Sequence, residues 1–151
     1  MRLWITGFSL FTAVSAQAAL APEYYARARA AAPHHLQLRI EHAEVDRGQP
    51  FRNCRVHATV LRDFRGGIPR GTPVSFALNC TVPDRPPLVG ADAWHRPEHL
   101  QRASVFEGFF NGDAPEVSPV YGQLGHVPHE RETPWCEAES GDCDHDPEPS
   151  P

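Results

Sequence analysis

The chain has 151 residues, of which 40% are apolar, and its formal net charge is −5. All 14 basic residues are arginine, and six of the 19 acids lie in residues 136–151, which hold no base. Removing Arg2 and those six acids leaves 13 Arg and 13 acids in residues 19–135. A neutral body gives no electrostatic basis for binding nucleic acid or an anionic membrane, and the length fits one small domain. Abundant Ala, Arg and Pro without Lys suggest a GC-rich bacterial genome.

Residues 1–18 have the layout of a secretory signal peptide. Arg2 supplies a positive charge, residues 3–14 are mostly apolar, and Ala16-Gln17-Ala18 is a small-x-small cleavage site. The apolar run is too short to span a bilayer. We expect cleavage near Ala18 and a mature chain in the periplasm or the medium, with no membrane segment.

The mature chain is predicted to begin with a helical or extended lead, residues 19–34, whose short helix ends before Pro33. The pattern then changes to alternation, with Leu36, Leu38 and Ile40 on one side of a strand over 35–45. Two more alternating segments, 54–64 and 72–80, flank a Gly-rich turn and predict a β-hairpin. This begins a β domain that we place at 35–127.

The two hairpin strands predict a disulfide. If the hairpin closes around residue 67, Cys54 faces Cys80 and Val56 faces Leu78. Both cysteines then share the apolar inner side, and an exported protein meets an oxidising compartment. We therefore predict a Cys54–Cys80 bridge across the open end of the hairpin, with two buried thiols as the alternative.

The downstream half is predicted to hold a helix, a strand and a tail. Pro97 suits a first helical turn, and apolar residues recur at spacings of three and four, at Leu100, Ala103, Phe106 and Phe110. This pattern predicts an amphipathic helix over about 97–111. A short strand at 88–91 and a last strand at 117–127 flank it. Residues 128–151 are acidic and Pro-rich, so we expect a disordered tail.

The tail carries its own pair of cysteines, Cys136 and Cys143. We favour a small disulfide loop between them. The alternative is a soft metal site that uses Cys143 and His145.

The run LRDFRGGIPRGTPVSF within residues 54–80 resembles the hairpin of secreted OB-type barrels, including netrin-like modules related to tissue inhibitors of metalloproteinases. The resemblance implies five strands with a helix between the third and fourth. The mature chain would begin near Ala19 and would lack the N-terminal Cys that those inhibitors use, so the resemblance implies no inhibitory activity. We expect a mainly β fold with one helix (α+β), a small, partly open OB-like barrel of four or five antiparallel strands.

Histidines are the residues that could carry metal chemistry. His95-Arg96-Pro97-Glu98-His99 matches the H-x-x-E-H pattern, in which two His on one helical face hold Zn²⁺ and a Glu activates water. Pro97 opposes this, because a helix that starts there leaves His95 outside it. His126, near the end of the last predicted strand, and His129, just after it, are further candidate ligands.

These observations favour an exported binding or accessory protein that is not an enzyme, with no cofactor and an unknown ligand or a protein partner in the cell envelope. One alternative is a periplasmic Zn²⁺- or Cu²⁺-binding protein that uses His95, His99, His126 and His129. A second is a small metal-dependent hydrolase. Fold alone would not separate them.

Overall fold

The computed structural model describes residues 21–83, 87, 93–102 and 105–135. Within them lie two α-helices, seven strands and one 3₁₀ turn at Val120–Gly122. The helices are α1 (Pro22–Ala31) and α2 (Pro97–Arg102); the strands are β1 (His34–Val45), β2 (Cys54–Asp63), β3 (Pro73–Cys80), β4 (Trp94–His95), β5 (Val105–Asp113), β6 (Glu116–Pro119) and β7 (Gly125–Val127). The predicted signal peptide, the strand at 88–91 and the Cys136–Cys143 pair lie outside these ranges.

Five of the strands form a closed barrel. The ring runs β1-β2-β3-β6-β5, and β5 pairs back onto β1. We expected a partly open barrel, but the long β1 pairs with β2 along most of its length and with β5 through its first five residues. Every ring pair is antiparallel except β3–β6, which is parallel. β4 and β7 add short edges to β3 and β5.

The predicted hairpin and its disulfide are both present. Cys54 and Cys80 are bonded, with Cα atoms 5.7 Å apart, inside the range that a disulfide needs. The predicted register is wrong by two residues, because Cys54 pairs with Leu78 and Val56 with Phe76. A shift of two keeps every side chain on its predicted face, so the cysteines meet diagonally.

The register differs because Asp63 builds the turn. Its carboxylate accepts hydrogen bonds from the backbone N–H groups of Arg65, Gly67 and Ile68. Gly66 and Gly71 both take positive φ within the turn, where a Cβ would be strained. These contacts centre the hairpin one residue earlier than the sequence pattern suggested.

The helix predicted over 97–111 is wrong beyond residue 102. Helix α2 ends at Arg102, and Val105–Asp113 forms strand β5. Phe106 and Phe110 face the barrel core, whereas Phe109 packs outside it against Ala32 and Val120. Both faces of the strand are covered, so its apolar residues lack the alternation of a half-buried strand.

The barrel core is apolar, and α2 contributes one residue to it. Leu100 of α2 is fully buried among barrel residues. The largest fully buried side chains of that core are Phe76, Phe106, Phe110, Leu36, Leu38 and Leu78.

The described chain also packs on the barrel beyond residue 127, where we placed the start of the tail. Trp135 is only 7% exposed and contacts Leu61, Val105 and Val127. Among the described residues, no helix has the length and apolar character that crossing a membrane requires.

Candidate functional site

A cleft of about 320 Å³ opens beside the parallel pairing of β3 and β6, which is the shortest strand pairing in the ring. β3 and β6 pair only through Ser75 and Glu116. Past that pair, Ala77–Asn79 and Ser118–Pro119 line opposite sides of the opening. The fold therefore leaves a gap in its own wall.

Helix α1 and the 3₁₀ turn form the remaining wall. Ala28 and Tyr121 line the cleft, and the rings of Tyr25 and Tyr121 meet edge to face with centroids 5.0 Å apart. The C-terminus of α1 is fixed by Arg65, whose guanidinium donates to the carbonyls of Arg29 and Ala32. A cation at a helix C-terminus satisfies carbonyls that have no partner in the helix.

Two strained residues line this cleft. Arg52 has φ of 48° and Tyr121 has φ of 50°. Residues other than Gly, Asn and Asp rarely adopt this left-handed backbone conformation. No other non-glycine residue of the described chain has positive φ, and both of these lie at one opening. Strain of this kind concentrates at functional sites.

The cleft is lined by polar groups that can bind a ligand. The guanidinium of Arg52 forms no ion pair or hydrogen bond with another described residue, although its backbone N–H donates to Oδ1 of Asn79 at 2.6 Å. Asn111 and Ser118 stand opposite each other in the β5–β6 register. Their side chains are exposed and make no hydrogen bond within the described ranges. The opening thus presents one cation, an amide and a hydroxyl.

An aromatic pair lies beside the cleft. The rings of Phe51 and Trp94 have centroids 6.4 Å apart, and Phe51 is 52% exposed. Phe51 precedes Arg52 in the chain, and Trp94 pairs with Asn79 of the cleft wall. An exposed aromatic face next to polar groups suits a ligand with a ring.

A second cluster of polar groups is buried and structural. The carboxylate of Glu107, which is 1% exposed, accepts hydrogen bonds from Nε2 of His35 at 2.7 Å and Nε2 of Gln37 at 2.9 Å. It also accepts the backbone N–H of Trp135 at 2.9 Å, and Oε1 of Gln37 accepts the N–H of Arg131. These bonds attach residues 131–135 to the barrel, because buried polar groups need partners.

The neighbouring pair, His34 and Asp63, serves the hairpin turn. Nδ1 of His34 lies 2.8 Å from Oδ2 of Asp63. Burial raises the pKa of Asp63, but hydrogen bonds from His34 and from the backbone N–H groups of Arg65 and Ile68 lower it below its ordinary value. The carboxylate therefore stays charged and keeps the turn in place.

The H-x-x-E-H segment does not form the zinc geometry of a hydrolase. His95 lies in β4, and Pro97 begins α2, so the two histidines do not share a helical face. Nε2 of His95 donates to the carbonyl of Gly122 at 2.8 Å. Burial, and to a smaller extent the charge of His99, lower the pKa of His95. Glu98 is exposed and does not line the cleft.

Of the four candidate metal ligands, the structure brings His99 and His126 together. Their rings have centroids 5.6 Å apart and an interplanar angle of 84°. Burial and then the charge of His99 lower the pKa of His126. His129 is exposed and makes no ring contact within the described chain. No group of three or more candidate ligands is found among the described residues.

Comparison with known proteins gives no relative. No protein-family model, curated protein or solved structure matches the chain.

Sequence reasoning missed both the cleft and the Glu107 cluster. The cleft depends on where two strands distant in sequence separate, and no local pattern encodes that. The cluster had a local signal, since Glu107 is a single acid within the apolar run of residues 105–110. An acid in that context is typical of a buried, hydrogen-bonded carboxylate.

Proposed function

We propose that this chain is an exported binding protein that holds a small, anionic, polar ligand in the cleft between β3 and β6. The observation that carries the proposal is the pair of left-handed residues, Arg52 and Tyr121, at one opening. Strain at two separate points of the chain costs stability, of the order of 1–3 kcal/mol each. A function at that opening explains why it persists.

The chemistry of the lining supports an anion. A guanidinium binds carboxylate or phosphate through two parallel hydrogen bonds. Asn111 and Ser118 add uncharged hydrogen-bonding groups, and the ring of Phe51 adds a stacking face. A sugar acid offers a matching group to each of these, namely a carboxylate, hydroxyl groups and a ring face. We therefore take a sugar acid as the ligand class.

Binding of glucuronate, measured by calorimetry, tests the proposal, with glucose as the neutral analogue and inorganic phosphate as the simple anion. We expect glucuronate to bind more tightly than either. Arg52→Gln should weaken it by roughly 10-fold or more, because a charged hydrogen bond contributes about 1.5–3 kcal/mol. Arg102→Gln is the matched control, because Arg102 of α2 is exposed and does not line the cleft. Equal loss in both variants, or no binding of any of the three probes, would contradict the proposal.

We also propose that the barrel is OB-like and that the chain is exported. The ring order β1-β2-β3-β6-β5 supports the OB-like barrel. Along the chain, α2 lies between β3 and β5, which are the third and fourth strands of the ring in sequence order. The charged, apolar and small-residue regions of residues 1–18 support export. Expression of residues 1–151 in a bacterium should give a periplasmic product whose N-terminus lies near Ala19. An intact Met1 in the cytoplasmic fraction would refute export.

A further inference from the structure

His99 and His126 come from separate elements that the barrel holds in place. His126 lies on β7 and pairs in register with Phe106 of β5. His99 lies on α2, which the fully buried Leu100 anchors to the core. Both imidazoles contact the ring of Phe106, with centroid distances of 6.2 Å for His99 and 5.8 Å for His126. Their mutual position is therefore set by packing rather than by loop conformation.

The separation of the two rings suits one shared ion. A metal–nitrogen bond to imidazole is about 2.0–2.1 Å long, so two rings on one ion at a tetrahedral angle have centroids roughly 5–6 Å apart. The observed distance is 5.6 Å. Both side chains are exposed, so an ion can enter, and water can complete its coordination.

The chemistry of the donors selects the class of ion. Imidazole nitrogen suits Cu²⁺, Ni²⁺ and Zn²⁺, whereas Mg²⁺ and Ca²⁺ prefer oxygen. The described chain offers no third ligand to this pair. A site with two protein ligands leaves positions open, unlike the closed four-ligand sites that hold structural zinc.

We propose that His99 and His126 form a two-imidazole site for a divalent transition metal, with Cu²⁺ bound more tightly than Zn²⁺. An ion there links α2 to β7 across one end of the barrel. The site is separate from the β3–β6 cleft, so neither proposal depends on the other.

The first test is a titration of the unsubstituted protein, purified after expression of residues 1–151. CuCl₂ is added in small steps while the imidazole resonances are followed by NMR. Paramagnetic broadening should begin at His99 and His126, before His129 or His57. Broadening that begins at other histidines would overturn the proposal. Because the wild-type fold is used, this result does not depend on the stability of a variant.

The second test uses single substitutions and calorimetry with CuCl₂ and ZnCl₂. His99→Ala and His126→Ala should each weaken Cu²⁺ binding at this site by roughly 10-fold or more. Removing even a residue that only supports a metal ligand costs about 10-fold or more in affinity, and removing the ligand itself should cost at least as much. His129→Ala, an exposed histidine two residues beyond β7, is the matched control, and Arg52→Gln should leave Cu²⁺ binding unchanged. Wild-type affinity in both His99→Ala and His126→Ala, or Zn²⁺ bound more tightly than Cu²⁺, would refute the site as proposed.

Discussion

Reduction of the Cys54–Cys80 bond should destabilise the barrel by about 3.5 kcal/mol. The bond closes a loop with a sequence separation of 26 residues. In the chain-entropy treatment, a loop of that length removes about 12 cal/mol/K from the unfolded chain, or about 3.5 kcal/mol at 25 °C. Both cysteines are fully buried, so reduction leaves two thiols in the core and creates no cavity.

Chemical denaturation of the oxidised and reduced protein measures this difference. A Cys136→Ala/Cys143→Ala background ensures that only one pair responds to the reductant. Cys54→Ala/Cys80→Ala in the same background should lose more than reduction does, because truncation adds a cavity to the entropic effect. A difference below about 1 kcal/mol on reduction would show that the bridge does not act by restricting the unfolded chain, and the reasoning would fail.

Three further predictions concern Glu107, Gly67 and His95. Glu107→Ala should cost about 3 kcal/mol or more in urea denaturation, because it leaves three buried hydrogen-bond donors unpaired at about 1–3 kcal/mol each; a loss under about 1 kcal/mol would show that the cluster adds little. Gly67→Ala should cost about 1–3 kcal/mol, because a Cβ there would lie 2.5 Å from Cε1 of His34. Gly125→Ala is its control, since the nearest atom would be 3.7 Å away, and equal losses would argue against the clash. The pKa of His95 is lowered in the folded state, so the unfolded chain binds more protons and stability falls as the pH drops below about 6.5. His95→Gln should make the free energy of unfolding less dependent on pH between about pH 7.5 and 5.5. An unchanged dependence would show that His95 does not cause it.

The sequence predicted the strands in which apolar and polar residues alternate, although both faces of β3 and of the first half of β1 are largely buried. Alternation identified β1, β2 and β3, and the shared inner parity of Cys54 and Cys80 was enough to predict their bond. That inference survived a register error of two residues, because side chains return to the same face every second residue.

Strand β5 shows where the same reasoning fails. Its outward face is covered by α1, by the 3₁₀ turn and by Trp135. Phe106 and Phe110, four residues apart, then fit a helix as well as a strand. The β-branched and aromatic composition of the segment favoured a strand, and it was the better guide here.

The candidate sites were predicted only in part. The histidines were visible in the sequence, but which two converge depends on the packing of α2 against β7. Arg52 and Tyr121 carry no sequence signal for positive φ, because neither is a residue type that favours it.

The closure of the ring through β1 and β5 has a consequence for the order of folding. The paired residues are 68 positions apart at Leu38 and Phe106, and 76 apart at His34 and Phe110. Contacts of such long range form slowly. During synthesis β1 keeps one unpaired edge until β5 has emerged, and an unpaired edge is a template for aggregation. The β2–β3 hairpin can pair well before that moment, since both of its strands precede β5 in the chain.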